Sequence, residues 1–225
     1  FNGPAVAQLE IDDRLVLSNM AAEMGAKVGI FPADKKTFTY LGDQVSKRAE
    51  ATASDPDAIY SRQVTIDLSS LDPQIALPHQ IDKVVPIDSA SDVPIHMVYL
   101  GTCTGGRVSD FEEALRILKA GGGVVPETKL VIAPASRAIL KELTRDGLMG
   151  EFAALGAVVL TPGCGACCGT CGEIPGDGVN VISTANRNFK GRMGNANAAI
   201  YLASPATCAA SAVRGRITDP RELYR

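Results

Sequence analysis

The stretch MVYLGTCTGGRVSDFEEALRILKAGGG, residues 97–123, decides the fold of this chain. Its first four residues, Met97–Leu100, are apolar and predict a buried β-strand. A glycine-rich loop with Cys103 follows, and a Ser-x-x-Glu capping box at 109–112 predicts a helix that runs to Ala120 and ends at three glycines. A strand, a short loop and a helix in this order indicate a strand–helix–strand unit, which predicts a parallel sheet covered by helices.

The same alternation of apolar runs and helical segments continues towards the end of the chain. A crossover helix is predicted over residues 135–145, ending near Gly147. The other predicted strands are Val64–Leu68, Lys129–Ala133, Ala157–Leu160 and Val179–Ser183. This pattern predicts an α/β fold with a mainly parallel sheet.

The first 57 residues are organised differently. A helix is predicted over residues 12–26, a strand over Lys27–Phe31, and a second helix from Asp34 towards Glu50. The small, polar, proline-containing stretch Ala51–Asp57 then predicts a linker. We therefore expect two parts. They are residues 1–57, the end of a preceding α/β domain, and residues 58–225, the main domain.

Composition limits the classes of function. The 225 residues carry a net charge of −3, which argues against nucleic acid as a partner. No run approaches the ~18 apolar residues that cross a bilayer, which argues against a membrane, and nothing near the start resembles a signal peptide. Four of the six cysteines crowd within eight residues, which favours metal or cluster ligation in a reducing cytoplasm over disulfides.

Three motifs that are distant in sequence each follow the end of a predicted strand. Cys103 comes three residues after one strand, Cys164 four residues after another, and Asn186-Arg187 three or four residues after a third. Loops at the carboxyl ends of parallel strands share one edge of the sheet, where ligands bind. We therefore expect these motifs to converge on one edge.

Cysteine thiolates are soft ligands that suit iron–sulfur clusters or zinc. Three of them hold a cluster while one iron keeps no protein ligand, and that iron acts as a Lewis acid on a substrate. The alternative is a non-catalytic, zinc-stabilised α/β module. Its ligands are Cys164, Cys167, Cys168 and Cys171. Cys103 separates the two hypotheses, because the zinc site leaves it without a role.

The segment from Asn186 to Arg192 carries two arginines five residues apart. A guanidinium binds a carboxylate through two parallel hydrogen bonds, so Arg187 and Arg192 suit a di- or tricarboxylic acid. A solvated basic loop is the alternative. The isolated His79 and His96 are expected to be structural.

Taken together, these motifs resemble the aconitase superfamily, and within it the large subunits of 3-isopropylmalate dehydratases. The similarity runs in order along nearly the whole chain. The most specific pieces are YLGTCTGGRVSD at 99–110, PGCGACCG at 162–169 and STANRNFKGR at 183–192, with further matches at 1–26, 201–207 and 217–221.

The resemblance implies a fold, an activity and a partner. The fold is a three-layer αβα domain of the aconitase type over residues 58–225, preceded by part of a second small α/β domain. The activity is that of an iron–sulfur hydro-lyase on a 2-hydroxy di- or tricarboxylic acid, here 2-isopropylmalate to 3-isopropylmalate in leucine biosynthesis. Homoaconitase and dimethylmalate- or citramalate-type dehydratases share these motifs. The catalytic serine and the specificity loop lie on a separate small subunit, which would be the partner.

The resemblance also assigns site residues. It implies a [4Fe–4S] cluster on three thiolates and substrate contacts from three further side chains, with no other catalytic residue in this chain. The cluster ligands are Cys103, Cys164 and Cys167, and the substrate-binding residues are Asn186, Arg187 and Arg192.

Two departures from the family stand out. Gly105 occupies a position where the family commonly has asparagine. The family's N-terminal half, with its catalytic histidines, aspartates and a glutamate, is also absent, so the chain is expected to be a carboxyl-terminal half cut upstream of Phe1. We expect this piece to fold and carry ligands, to hold its cluster weakly, and not to turn over substrate by itself.

Overall fold

The structure is a computed structural model that describes residues 1–44, 46 and 50–224. The chain divides into two compact units, Phe1–Leu71 and Asp72–Arg225. The domain boundary expected after residue 57 lies inside the first unit and stays a prediction. Within the described residues, no helix is long and apolar enough to cross a membrane.

The first unit contains helices α1 (Ile11–Met20) and α2 (Lys35–Leu41), each followed by a short 3-10 turn. Arg14 of α1 is almost fully buried and donates to Asp34, the N-cap of α2, at 2.7 Å. This ion pair joins the two helices. The helix predicted towards Glu50 ends at Leu41, and part of its expected remainder lies outside the described residues.

The prediction of two strands in this unit is wrong. Among the described residues, Lys27–Phe31 makes no strand pairing; instead the amino group of Phe1 donates to the Ile30 carbonyl at 2.7 Å, and the Phe1 ring stacks on Phe31. Val64–Leu68 is likewise irregular, and a 3-10 turn capped by Asp67 starts at Leu68. Alternating apolar residues did not produce strands here because, within the part of the chain that the structure describes, neither segment lies beside a strand that pairs with it.

The second unit contains one sheet, whose seven strands all lie in the described residues. Its order is β2-β1-β7-β6-β3-β4-β5, with parallel pairing from β7 to β5 and antiparallel pairing of β1 with β2 and β7. The strands are β1 (Gln74–Ala76), β2 (Val84–Pro86), β3 (Met97–Gly101), β4 (Lys129–Ala133), β5 (Val158–Val159), β6 (Asn180–Ser183) and β7 (Ala199–Leu202). The predicted α/β class with a mainly parallel sheet is confirmed.

Alternating residues of β3 bury opposite faces of this sheet. Val98 and Leu100 pack in the larger core with the helices, whereas Tyr99 packs in the second core with Cys167 and Met193. The segments after β5 and β6 therefore cover one face, and the helices cover the other. Those helices are α4 (Val108–Ala120), α5 (Arg137–Arg145), α6 (Leu148–Ala154) and α7 (Pro205–Arg214), while α3 (Thr102–Gly105) is a single turn after β3.

The helix starts differ from the sequence expectation at one point. Helix α4 begins at Val108, and the N–H of Arg107 donates to Asp110 Oδ2 at 2.9 Å. The capping box expected at 109–112 is therefore wrong, because the residue pair that caps the helix lies two positions earlier. Helix α5 starts after Ser136, whose hydroxyl accepts from the N–H of Ile139.

Candidate functional site

The first cysteine loop leaves β3 through a strained turn. Thr102 has a φ of 67°, a left-handed conformation that is rare for a β-branched residue, and its side chain is buried. Cys103 follows it in the single turn α3 and is exposed. Strain of this kind persists only where the surrounding structure enforces it.

Thr184, just after β6, holds this turn in place. Its hydroxyl accepts from the N–H of Gly101 at 2.8 Å and lies 3.0 Å from the Gly101 carbonyl. The hydroxyl of Thr104 in turn donates to the Thr184 carbonyl. The loops after β3 and β6 are thus joined directly, and the position of Cys103 is tied to the segment that begins at Asn186.

The second cysteine loop is tied to the centre of the sheet by Tyr99. The Tyr99 hydroxyl donates to the Cys164 carbonyl at 3.0 Å, and the N–H of Cys167 donates to the same carbonyl at 2.9 Å. Cys167 ends up 2% exposed, while Cys164 is exposed. Burial, and then the nearby Cys167 thiolate, raises the pKa of Tyr99, so this hydroxyl stays a hydrogen-bond donor.

The structure brings the three cysteines into electrostatic range of one another. Burial raises the pKa of the Cys167 thiol, and negative charge on Cys164 and Cys103 raises it further, whereas Arg192 lowers it. Cys103 and Cys167 are 64 residues apart in sequence. The hydrogen bond from Tyr99 to Cys164 ties the β5 loop to β3, while the meeting of the three thiols and their assignment as ligands stay predictions.

Arg192 reaches the same place from the segment after β6. Its Nη2 lies 3.9 Å from Sγ of Cys167, and its guanidinium lies 5.5 Å from the centre of the Phe189 ring. Its Nε is buried and has no hydrogen-bond partner among the described residues. A buried donor without an acceptor is costly, so this side chain is suited to an anionic ligand. Asn186 and Arg187 are half-buried just beyond β6.

Sequence reasoning missed two residues that position the site. Thr184 clamps the β3 loop as described, and Asn188 anchors the arginine segment to the sheet. The buried Asn188 amide donates to the carbonyls of Leu77 at 2.8 Å and Ile200 at 3.3 Å. Both residues act through backbone hydrogen bonds, which leave no periodic signal in a sequence; only their closeness to Asn186 hinted at a role.

Cys168 and Cys171 lie outside this group. Both sulfurs face the Gly165 carbonyl, at 3.3 and 3.8 Å. The Thr170 hydroxyl lowers the pKa of the Cys168 thiol by hydrogen bonding to it. Cys208, by contrast, is fully buried in α7.

The cysteine arrangement bears on the kind of metal centre. In the described part of the chain, no group of three or more His, Cys, Asp or Glu side chains is close enough to hold a single metal ion. Tetrahedral zinc with bonds of 2.3 Å needs its sulfurs about 3.8 Å apart. The four cysteines of the zinc alternative are not such a group in the described residues. Thiolates of a cubane cluster each bind a different iron and lie farther apart, so a cluster remains compatible.

The histidines play the structural part expected of them where the structure shows their contacts. The N–H of Asn180 donates to Nδ1 of His96 at 3.0 Å, which fixes the start of β6 beside β3. His79 is exposed in the connection between β1 and β2.

Comparison with known proteins agrees with the motifs. The chain is 46% identical over 226 residues to 3-isopropylmalate dehydratase large subunit 1 of Thermotoga maritima, covering 99% of this chain and 54% of that protein. It is 45% identical over 223 residues to a probable methanogen homoaconitase large subunit of Methanosarcina mazei, covering 99% and 56%. It is 46% identical over 225 residues to 3-isopropylmalate dehydratase large subunit 2 of Archaeoglobus fulgidus, covering 99% and 54%.

The comparisons also show how much of its relatives' length the chain covers and to which family it belongs. The chain spans about half the length of the curated relatives it matches. The family model described as aconitase family (aconitate hydratase) matches residues 1–93 and 88–215. The resemblance drawn from the two cysteine loops and the arginine segment is confirmed. The chain belongs to the aconitase family, whose members carry an iron–sulfur cluster.

Proposed function

We propose that this chain supplies the cluster-binding part of a hydro-lyase that dehydrates and rehydrates a 2-hydroxy di- or tricarboxylic acid. The observation that carries the proposal is the position of Arg192. Its guanidinium lies 3.9 Å from the buried Cys167 sulfur, and that thiol is electrostatically coupled to Cys103 and Cys164. In this proposal Cys167 is a cluster ligand, and Arg192 binds a substrate carboxylate beside it.

The cluster would be a [4Fe–4S] centre held by Cys103, Cys164 and Cys167. The soft thiolate set and the buried Nε of Arg192, which has no partner in the described residues, both fit such a group. When bound, the cluster supplies one iron without a protein ligand, which acts as a Lewis acid on the substrate hydroxyl.

The residues of this chain would bind and orient the substrate beside that centre. Arg187 and Arg192 each offer a planar fork of donors to a carboxylate, which fixes its position and charge. Asn186, at the start of the same segment, adds a neutral amide. Phe189 packs beside the Arg192 guanidinium and limits where it can point. Fixing two carboxylates holds the hydroxyl and the adjacent carbon in one reactive geometry.

The proton would be removed by a group on a partner. We propose a small subunit that carries the catalytic serine and the loop that selects the substrate, because relatives of this chain are named large subunits. In this arrangement the chain presents the leaving hydroxyl and the carboxylates, and the partner's base removes the proton from the neighbouring carbon. Without that base, the chain alone would not turn over substrate. We place the enzyme in the cytoplasm.

The proposed substrate is 2-isopropylmalate, converted to 3-isopropylmalate in leucine biosynthesis. Support comes from the relatives named 3-isopropylmalate dehydratase at 46% identity. The relative named homoaconitase is nearly as similar, at 45%. Comparing these acids, and dimethylmalate and citramalate, on the chain assembled with its partner tests the choice. Turnover that prefers homoaconitate over isopropylmalate would reverse it.

Anaerobic reconstitution with ferrous iron and sulfide tests the cluster site. We expect the wild-type chain to gain the sulfide-to-iron charge-transfer absorbance, and each serine variant of the three proposed ligands to lose most of it. The matched controls replace thiols outside the site. The variants to lose the signal are Cys103→Ser, Cys164→Ser and Cys167→Ser, and the controls to keep it are Cys168→Ser, Cys171→Ser and Cys208→Ser.

The control set also separates the cluster from the zinc alternative. If Cys103→Ser keeps its metal while Cys168→Ser and Cys171→Ser lose it, the ligands are those of a zinc module and the proposal is wrong. Substrate turnover by the reconstituted chain without its partner would contradict the placement of the base on that partner.

A further inference from the structure

A second pair of thiols lies beside the proposed cluster site and is not used by it. Sγ of Cys168 is 3.3 Å from the Gly165 carbonyl oxygen and 2.9 Å from the Thr170 hydroxyl. Sγ of Cys171 is 3.8 Å from the same carbonyl and 4.0 Å from the same hydroxyl. Because both sulfurs face the same two oxygen atoms, they are neighbours.

The backbone between the two cysteines turns back on itself. Gly169 has a φ of 71°, and Gly172, just after the pair, has a φ of 80°. The contacts that the two sulfurs share with the Thr170 hydroxyl place them less than about 7 Å apart. Because disulfides span Cα separations of 4.4–6.8 Å, closing the bond requires side-chain rotation together with a backbone adjustment at Gly169.

The two thiols are accessible to solvent, as are those of Cys103 and Cys164. Cys171 is exposed and Cys168 is partly exposed, whereas Cys167 is 2% exposed against the sheet and Cys208 is fully buried. Thiol–disulfide exchange needs in-line access of the attacking sulfur to the disulfide, so burial protects Cys167 and Cys208.

We propose that Cys168 and Cys171 form a reversible dithiol–disulfide site that exchanges with low-molecular-weight disulfides. Cys171, after losing its proton, attacks one sulfur of the small disulfide; the S–S bond breaks, one small thiolate leaves, and a mixed disulfide forms. Cys168 then loses its proton and attacks the Cys171 sulfur, releasing the second small thiolate. The chain loses two electrons and two protons, and the small disulfide becomes two small thiols.

Closing this bond changes the turn that carries the buried cysteine. The S–H groups that face Gly165 are removed on oxidation, and Gly165 begins the 3-10 turn Gly165–Cys168. The redox state of the pair is therefore felt at Cys167, one residue before Cys168. The disulfide itself does not depend on the proposed hydro-lyase function, because neither thiol belongs to the proposed ligand set.

The test equilibrates the full chain, without added iron, over a range of ratios of oxidised to reduced glutathione. After acid quenching and alkylation, intact mass and peptide mapping follow the thiols. We expect a species lighter by the mass of two hydrogens, with the bond mapped to Cys168–Cys171, and its full reversal by reduced glutathione. Cys168→Ser and Cys171→Ser should each abolish it, and Cys171→Ser should also lose the glutathione adduct that peptide mapping assigns to position 171.

A double variant serves as a further control for this test. The double variant Cys164→Ser/Cys167→Ser should form the same bond at the same glutathione ratio, which excludes a contribution from the proposed cluster ligands. If Cys168→Ser does not fold, loss of the bond in Cys171→Ser, which changes an exposed residue, decides the test. A bond mapped to Cys164–Cys167 or Cys167–Cys168, or a wild-type chain that stops at the mixed disulfide, overturns the proposal.

Discussion

The backbones of Gly169 and Gly194 touch. A Cβ placed on Gly169 would lie 2.5 Å from the Gly194 nitrogen and 2.9 Å from the Arg192 carbonyl oxygen, closer than real side chains allow. This contact joins the end of the cysteine turn after β5 to the arginine segment after β6. It explains how Nη2 of Arg192 comes to within 3.9 Å of the Cys167 sulfur.

Replacing Gly169 by alanine should therefore lower the free energy of unfolding by more than the penalty for its positive φ. Gly169 and Gly178 have almost the same φ, 71° and 72°, but nothing lies within 4 Å of a Cβ on Gly178. We expect Gly178→Ala to lower the free energy of unfolding by about 1 kcal/mol, and Gly169→Ala by about 2–4 kcal/mol because of the added overlap. Urea denaturation of the full chain measures both. Equal losses in the two variants would show that the close contact carries no energy.

Gly105, where the family commonly has asparagine, should reject any side chain. A Cβ there would come within 2.5 Å of the Thr184 hydroxyl oxygen, the atom that clamps Gly101. Gly150 is a matched control, because it is also helical and open space surrounds its Cβ position. We expect Gly150→Ala to raise the unfolding free energy by about 0.5–1 kcal/mol and Gly105→Ala to lower it by about 1–3 kcal/mol. A stabilised Gly105→Ala in the same urea titration would mean that Thr184 moves aside freely.

The acidity of Cys167 should depend on Arg192. The guanidinium lowers the pKa that burial has raised, so Arg192→Ala should raise the Cys167 pKa further. The alkylation rate of Cys167, followed by peptide mass spectrometry in the metal-free chain, should then rise at a higher pH than in the wild type. Lys190→Ala removes an exposed positive charge from the same segment and should leave the profile in place. A shift to lower pH in Arg192→Ala would contradict this account.

The first unit should loosen in acid. The hydrogen bond and charge of Arg14, with the N–H of Thr37, hold the pKa of Asp34 well below its ordinary value. A carboxylate with a lowered folded-state pKa contributes stability at pH values above its unfolded pKa of about 4, and that contribution is lost as pH falls further. Amide hydrogen exchange of α2 should therefore speed up, relative to intrinsic rates, below about pH 4.

Substitution of Asp34 isolates the contribution of its carboxylate to this acid response. Asp34→Asn should weaken the hydrogen-exchange protection of α2 at neutral pH, because Arg14 is left buried without its anionic partner. It should also remove most of the further loss of protection in acid, because position 34 no longer carries a group that titrates. Asp57→Asn, at an exposed position in the irregular segment, serves as the control and should behave like the wild type. An unchanged acid response in Asp34→Asn would assign the effect to other groups.

Four strands, β3 to β6, were predictable as short runs rich in apolar residues, whereas β1, β2 and β7 were not predicted. Strand β4 matches its predicted range, and β3 differs by one residue. The irregular structure of Lys27–Phe31 could not be predicted from its own apolar pattern, because contacts with Phe1 determine its conformation. Helix α4 was found, but its cap was misplaced, because several polar residues near its start can each cap it.

The site was predictable in outline for a topological reason. Parallel strands present their carboxyl ends at one edge, so the segments that carry Cys103, Cys164 and Arg192 all start from the same edge of the sheet. The contacts that fix their positions were not predictable. Thr184 and Asn188 act on backbone groups of distant segments, and the Gly169–Gly194 contact depends on two left-handed turns meeting.

The strand order also constrains when the centre can be assembled during synthesis of the protein. Cys103 leaves the ribosome long before Cys167, and the two approach each other only once β3, β4 and β5 have paired. Arg192 arrives later still, after β6 has docked beside β3. If Cys103 and Cys167 hold one cluster, as proposed, iron delivery would therefore follow folding and act on an apoprotein whose sheet is already formed.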